Sequence, residues 1–498
     1  MSLAILNSRT LCGMQALRTA IEVHLASGLP KFLIVGLPEI AIKESKERVR
    51  SAIINSQFKF PAKRITINLA PADLPKDGSG FDLPLALGIL IADKKLAVEN
   101  LSQYEFVGEL ALSGELRSVK GILPIALAAK QAGKKLILPM DNATEASLIN
   151  GLEIFPARHL LEVCAHLNGT RLLTAFTGFV AAEKNPITLD LCDISGQAHG
   201  RRALEIAAAG EHSLLMCGPP GTGKTMLASR LPSILPPMND VDALQAMTIQ
   251  SIVNANFDIT TWKQRPFREP HHSASNVALV GGGSPPHPGE VSLAHNGILF
   301  LDELPEFKRH VLESLRQPLE SGKITISRAA RQTTFPARFQ FIAAMNPCPC
   351  GYLQDNKGDC HCTLEQVEKY RQRLSGPLLD RIDMHVQMAR VPEKYLIADQ
   401  QDNESSEAVR ARVIQARLLQ QRRCAKVNSR LNNKELRQYV QLTIKQRCWL
   451  QQASEKLNLS ARSYYRLLRL ARSIADLANS ITVEQHHLAE ALTYRCRF

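Results

Sequence analysis

No apolar run in this chain reaches the roughly 18 residues that a membrane-spanning helix requires. With 45% hydrophobic and 21% charged residues, the composition is ordinary for a soluble globular protein. The opening stretch, "MSLAILNSRTLCGMQALRTAIEVHLASGLP", lacks a basic start, a continuous apolar segment and a small-residue cleavage site, so no export signal is expected and a cytoplasmic location is. Internal repeats and long low-complexity segments are missing as well, and 498 residues therefore suggest two to four globular domains. Acidic residues are the scarcer charge, 47 Asp and Glu against 60 Lys and Arg, for a net charge of +13. Residues 391 to 498 hold 19 Lys and Arg against 10 Asp and Glu, so the excess sits near the C-terminus. Two readings fit it: a polyanion partner, or a solvated basic helical surface.

Pattern divides what is there into four stretches. Residues 1–175 mix short strands ("KRITINLAP", "KKLILP") with helical periodicity ("GILPIALAAKQAG") and read as an α+β domain. Residues 176–190, rich in Gly, Pro and polar types, suit a linker. Residues 191–395 alternate buried-type strands ("HSLLMCG", "NGILFLDE", "FQFIAAMN", "DMHVQMARV") with helix-like stretches, the mark of an α/β core around a covered, mostly parallel sheet. Residues 396–498 turn helical and form a lid: Val409, Val413, Ala416 and Leu419 recur at helical spacing, and "SARSYYRLLRLARSIADL" is a basic amphipathic helix.

The segment "MCGPPGTGKTMLASRL" fits G-x-x-x-x-G-K-[ST] between an apolar strand and a helix. Its nucleotide-binding set is Gly218, Pro219, Pro220, Gly221, Thr222, Gly223, Lys224, Thr225 and Met226. The glycines let backbone N–H groups curl around phosphate oxygens, Lys224 neutralises β/γ charge, and the Thr225 hydroxyl can ligate Mg²⁺. Downstream, "GILFLDELPEF" ends a buried strand in Asp302 and Glu303, one carboxylate for the metal shell and one to polarise an attacking water. Asn346 ends the next strand, where its amide can hydrogen-bond the γ-phosphate or the water, or simply form a turn before Pro347. Arg381, in "SGPLLDRIDMHV", fits a guanidinium reaching across a subunit boundary, which requires a ring, or an internal ion pair with Asp380 or Asp383. In the lid Arg462 is expected at the γ-phosphate in cis, and Arg466, Arg469 and Arg472 on a solvated face.

These segments, with "REPHHSASNVALVGGG", "HPGEVSLAHNGILFLDELPEF" and "AAMNPCPCG", resemble the magnesium-chelatase-like AAA+ ATPases of the ComM/YifB type over essentially the whole chain. The resemblance implies ATP and Mg²⁺ as cofactors and a homohexameric motor that moves DNA, a branch-migration helicase acting in natural transformation and recombination with recombination proteins as possible partners. Two rival classes are a chelatase-type motor working through a protein partner and a protein-remodelling or proteolytic machine. "LPKDGSGFDLPLALGIL" and "VGELALSGELRSVKGILPIALAAKQAG" resemble the proteolytic domain of Lon, of ribosomal-S5-like fold. That family's catalytic Ser and Lys fall here at Gly80 and Leu123. Ser79 is one position early and Lys120 lies on the wrong side of Gly121, so a proteolytically inactive scaffold or DNA-binding collar is expected.

Four of the eleven cysteines crowd into one short stretch. Cys348, Cys350, Cys360 and Cys362 supply enough thiolates to close a tetrahedral Zn²⁺ shell, with His361 able to replace one, and disulfides or free thiols as the alternatives. A zinc-binding loop over 346–362, pinned near a subunit boundary or the DNA path without a part in hydrolysis, is the expectation. "KITISRAARQTTFPARFQFI" reads as a hairpin around a basic turn. In a ring of this clade such hairpins face the pore, making Lys323, Arg328 and Arg331 candidates for single-stranded, duplex or branched DNA, with an ordinary solvated hairpin as the alternative. The Gly-rich stretch 277–290 fits a second pore loop or a surface excursion.

Overall fold

The computed structural model describes residues 2–74, 76, 78–98, 100–178, 189–254, 258–283, 286–328, 331–353, 360–391, 403–457 and 459–495. Most of the expected linker, part of the cysteine loop, and the side chains of Arg328 and Arg331 lie outside the described residues. The chain forms two compact units, Met1–Asn185 with Leu244–Trp262, and Pro186–Ala243 with Lys263–Phe498.

In the first unit β1 (Ser2–Cys12) and β2 (Gln15–Ala26) form a long antiparallel hairpin. With β3 (Lys31–Val35) and β4 (Arg64–Ala70) they make a sheet of order β1-β2-β4-β3, the last pair parallel. Helices α1 (Ile40–Asn55) and α2 (Asp82–Ala92) belong to this layer. The sequence "DLPLALGILIA" is apolar on every face, so α2 is interior along nearly its whole length. A second, parallel sheet joins β5 (Tyr104–Phe106), β6 (Lys135–Pro139) and β7 (Ile154–Ala157) in that order, accompanied by α3 (Ile122–Gln131) and α4 (Leu160–Leu167). Residues 244–262 belong here, although they were expected in the α/β core: Met247 is buried in the cluster of Ile122, Leu136 and Leu138, with Leu244, Ile259 and Trp262 against it. The Ser251 carbonyl accepts from the Gly121 N–H at 2.8 Å and its hydroxyl from the Leu123 N–H at 3.3 Å.

The second unit begins with α5 (Ala198–Gly210), β8 (Leu214–Cys217) and α6 (Lys224–Ser229), and holds the start of α7 (Asp240–Val253). Strands β9 (Phe267–Arg268) and β10 (Ile298–Leu301) follow, then α8 (Arg316–Ser321), the hairpin β11 (Lys323–Arg328) and β12 (Arg331–Pro336), β13 (Gln340–Met345), α9 (Leu364–Arg371) and β14 (Met384–Gln387). The central sheet has order β9-β10-β13-β8-β14 and is parallel throughout. Strands β8, β10 and β13 are buried at every residue, which is why they read as unbroken apolar runs. The hairpin enters between β10 and β13, paired from Lys323↔Pro336 to Arg328↔Arg331. Ile324, Ile326 and Phe335 are buried, so one face is core and the other carries the exposed Lys323. Within the Gly-rich stretch, Asn276–Val280 is helical, and Gly281–Gly282 pairs with His287–Pro288. A Cβ at Gly281 would come 2.8 Å from Ile326, so this small turn packs on the larger hairpin.

The C-terminal helices α10 (Ser406–Cys424), α11 (Ala461–Leu477) and α12 (Gln485–Thr493) pack among themselves and on α5. Here three arginines of the basic helix α11 are drawn into internal pairs, while others of the region, Arg422, Arg437 and Arg447 among them, are exposed. Arg466 donates to Asp383 at 2.7 Å, Arg469 to the Leu431 carbonyl at 2.8 Å, and Arg472, 2% exposed, to Asp476 at 2.9 Å. The solvated face expected for these three is therefore corrected. Arg466 and Arg469 reach from α11 to acceptors outside that helix, which hydropathy alone cannot place, while Arg472 bonds a residue one turn further along α11 itself. Burial alone would raise the Asp383 carboxyl, but Arg466, His212 and the Ser213 N–H hold it well below the usual range.

Candidate nucleotide site and metal centre

β8 ends at Cys217, and the chain turns through Gly218, where a Cβ would lie 2.3 Å from the Met388 carbonyl oxygen. Gly221 and Gly223 adopt φ of +76° and +83°, a region that L side chains avoid. The turn delivers Lys224 and Thr225 to the start of α6. The Lys224 ammonium donates to the carbonyls of Gly218 at 2.7 Å and Pro219 at 2.9 Å, and to Asn346 Oδ1 at 3.1 Å. Burial holds its pKa below the ordinary value, against the opposing pull of Asp302. Thr222 closes the loop by donating to the Pro219 carbonyl at 2.9 Å, while Pro220, Thr225 and Met226 are exposed.

The Thr225 hydroxyl donates to Asp302 Oδ2 at 2.5 Å, and Asp302 Oδ1 accepts from the Glu303 N–H at 2.8 Å. Glu303 stands in the left-handed region at φ +50° and its carboxylate lies 3.2 Å from His272 Nδ1. Lys224, Thr225, Asp302, Glu303 and Asn346, read from three separate motifs, thus converge at the C-terminal edge of β8, β10 and β13. Thr225 and Asp302 are a fitting Mg²⁺ pair, hard oxygens already in contact. Three further residues went unread. His272 touches Glu303, Glu269 is raised by burial and by Asp302, and Gln197 donates to the Thr222 carbonyl at 3.0 Å and the Ala389 carbonyl at 2.6 Å. The segment "REPHH" was in view as a motif, but nothing in its spacing said which carboxylate it meets.

The arginines are elsewhere. Arg381 Nη2 and Arg462 Nη2 both donate to Glu320 Oε1 at 2.5 Å, and Arg381 Nη1 donates to the Pro377 carbonyl at 2.6 Å. Arg381 therefore pairs with neither Asp380 nor Asp383, and Arg462 bonds a residue of α8 rather than a group at the phosphate loop. Glu320, an acidic residue on a short helix, carried no signal in the sequence.

Cys348 Sγ lies 3.3 Å from that of Cys350 and 3.7 Å from that of Cys360, with Cys350 and Cys360 3.5 Å apart. All four sulfurs, Cys362 included, lie within 4.8 Å of one another. A tetrahedral shell of ~2.3 Å Zn–S bonds spaces its sulfurs by about 3.8 Å, so the set fits, whereas a disulfide needs ~2.05 Å. His361 is exposed and outside the group. The Tyr352 N–H helps hold the Cys350 thiol down at about 6. A Cys350 N–H favours the Cys362 thiolate too, but desolvation and the neighbouring sulfurs push Cys362 up to about 12. Four thiolates could share these positions only around a cation.

Comparison with known proteins gives the family. The chain is 52% identical over 501 residues to Competence protein ComM of Haemophilus influenzae, covering 99% of this chain and 98% of that protein. It belongs to the magnesium-chelatase-like ComM/YifB family. Family models described as "Magnesium chelatase, subunit ChlI", "Subunit ChlI of Mg-chelatase" and "Magnesium chelatase, subunit ChlI C-terminal" match residues 190–396, 21–142 and 403–495. YifB of Salmonella typhimurium is 51% identical over 99% of this chain and 97% of its own length. Lon protease 2 of Bacillus subtilis is 34% identical over 124 residues, 24% of this chain and 22% of that protein. At the positions where the sequence pattern sets Lon's Ser and Lys, this chain has Gly80 and Leu123. In this ComM/YifB-type chain a Cβ at Gly80 would lie 3.1 Å from Val107, Leu123 is buried, Ser79 donates to Glu109 and Lys120 is exposed. No helix among the described residues is long and apolar enough to cross a membrane.

Proposed function

We propose that the protein is a ring-forming, Mg²⁺-dependent ATPase that moves on DNA, a homohexameric branch-migration helicase serving transformation and homologous recombination in the cytoplasm. The observation that carries the ring is the pairing of Arg381 and Arg462 on Glu320: two guanidiniums grouped on one carboxylate, neither bonded to the subunit's own phosphate loop, suit the phosphates of a neighbour. DNA as the track is supported by the hairpin β11–β12, whose Lys323 is exposed and whose Arg328 and Arg331 oppose each other at its tip, and by the name of the Haemophilus relative.

Lys224 exchanges its carbonyl partners for the β/γ phosphates on binding. Thr225 and Asp302 would hold Mg²⁺, which draws charge from the transferring phosphoryl group. Glu303 orients and polarises the attacking water, Asn346 reports the γ-phosphate, and an arginine from the adjacent subunit stabilises the transition state. Zn²⁺ on the four cysteines is structural, because a closed thiolate shell leaves no open position. The N-terminal unit, with Gly80 and Leu123 where Lon's Ser and Lys would fall, acts as scaffold or collar.

The deciding measurement is turnover with single-stranded, duplex and four-way-junction DNA across a salt series. Stimulation that falls with salt is expected for phosphate contacts. A flat response to all three leaves a chelatase-type or protein-remodelling motor, the former favoured by the 26% identity over 228 residues to a Magnesium-chelatase 67 kDa subunit of Heliobacterium mobile.

A further inference from the structure

The cysteine cluster does not stand apart from the nucleotide pocket. Asn346, which accepts from Lys224 at 3.1 Å, is followed two residues later by Cys348, whose side chain is wholly buried. The turn after it is closed by the Gly351 N–H donating to the Cys348 carbonyl at 3.0 Å. Gly351 has φ +86°, and a Cβ there would lie 2.8 Å from Pro220 Cδ and 3.8 Å from Asn346 Cγ. The turn therefore rests on the phosphate loop itself, with no room for a side chain between them.

A second tie runs from the other end of the cluster. Cys362 is followed at once by Thr363, the N-cap of α9, fixed by a reciprocal pair: the Gln366 N–H donates to Thr363 Oγ1 at 3.2 Å and the Thr363 N–H to Gln366 Oε1 at 3.0 Å. Two turns on, Tyr370 is buried, and while burial raises its phenol, the nearby backbone N–H of Asn346 acts in the opposite direction. The cluster thus grips Asn346 by its chain neighbours on one side and through α9 and Tyr370 on the other.

We infer that the metal bound by Cys348, Cys350, Cys360 and Cys362 is a positioning element of the ATP pocket in its own subunit, holding Asn346 and Pro220 in the arrangement that recognises a γ-phosphate. The inference rests on the zinc reading above and replaces mere anchorage with linkage: whatever the metal adds to triphosphate affinity, the triphosphate adds to metal affinity. A diphosphate, which lacks the group that Asn346 meets, takes little part.

The test compares full-length protein as purified with Zn²⁺, stripped by chelator, and reloaded, reading the dissociation constants of a non-hydrolysable ATP analogue and of ADP. Stripping weakens the ATP analogue by about tenfold and ADP by less than about twofold, and reloading restores both. In the reverse direction, the ATP analogue tightens Zn²⁺ against a competing chelator by the same factor. Tyr370→Phe keeps all four ligands: zinc stays at about one per chain, and preference for the ATP analogue over ADP falls by about threefold. Zinc that is present but leaves both nucleotide affinities unmoved, with Tyr370→Phe indistinguishable from wild type, overturns the linkage and spares the structural zinc. Protein that never holds zinc overturns both.

Discussion

Of the turns that lead from a glycine into a helix, two, one in each unit, have been finished differently. In the N-terminal unit Gly78 precedes Ser79 and α2. Ser79 is committed to Glu109, and Asp82, wholly buried, is locked by Arg48 at 2.7 Å and the Leu110 N–H at 3.2 Å. In the ATPase unit Gly223 precedes Lys224 and α6. Lys224 there donates to two carbonyls and an amide oxygen, and Thr225 leans on a solvent-reachable Asp302. A buried carboxylate with a full set of donors fixes a fold and has nothing left to offer a ligand. Neutral acceptors around an ammonium, and a hydroxyl on an open carboxylate, are contacts that a magnesium nucleotide can take over. A glycine turn into a helix is a scaffold in one place and a site in the other because of how the polar groups around it are paired.

The strongest way to break this comparison is at the open turn. Lys224→Ala abolishes tight ATP binding, whereas Glu303→Gln leaves binding intact and stops turnover, as equilibrium binding beside a phosphate-release assay will show; equal loss of binding in both refutes the division of roles. Arg381→Ala lowers turnover by roughly 10³-fold on the arginine-finger precedent. Mixed rings check its direction: Glu303→Gln subunits carrying Arg381 should rescue turnover at neighbouring Arg381→Ala sites, and no rescue removes the assignment in trans.

At the closed turn the effect is on stability. Asp82→Ala leaves Arg48 without its buried partner and costs about 3 kcal/mol, read as a lower denaturation midpoint of the N-terminal unit, with nucleotide affinity unchanged. A pH series sharpens the point at Glu145, whose carboxyl burial raises to about 7 despite bonds from Ser251 and Asn142. Between about 4.5, its ordinary value, and 7 the folded state holds the extra proton, so stability falls as pH rises through that window, by up to about 3 kcal/mol. Glu145→Gln should flatten the slope, and an unchanged slope assigns it elsewhere. The smallest effect is expected from Ser79→Ala: no change in turnover, in DNA stimulation or in any peptide cleavage.

How much of this was legible follows the distance over which each feature is encoded. The phosphate loop could be read because its chemistry is carried by consecutive backbone groups, and Asp302, Glu303 and Asn346 because they follow two apolar strands, β10 and β13, of the sheet that holds β8. The four cysteines announced themselves by type. Arg466 and Arg469 were misread because charge is counted along the chain, while their acceptors, Asp383 and the Leu431 carbonyl, are brought in by other elements. Arg472 and Asp476 stand four residues apart on one helix and were within reach of an i,i+4 reading. Glu320 and the Gly351–Pro220 approach had no local signature, since one is an unremarkable acid on a six-residue helix and the other a fit between two loops.

The excursion of residues 244–262 into the N-terminal core has a consequence for how such a protein can be inherited. Met1–Asn185 is not a self-sufficient cassette, because Ser251, which receives Gly121 and Leu123, and Met247, which fills the cluster beside Ile122, are encoded beyond the phosphate loop. A genetic exchange that swapped only the N-terminal reading frame for that of a diverged relative would separate a core from its own plug. Met1–Asn185 and Leu244–Trp262, two stretches of one unit, are therefore expected to diverge together, with compensating substitutions traded between the neighbourhoods of Gly121 and Ser251.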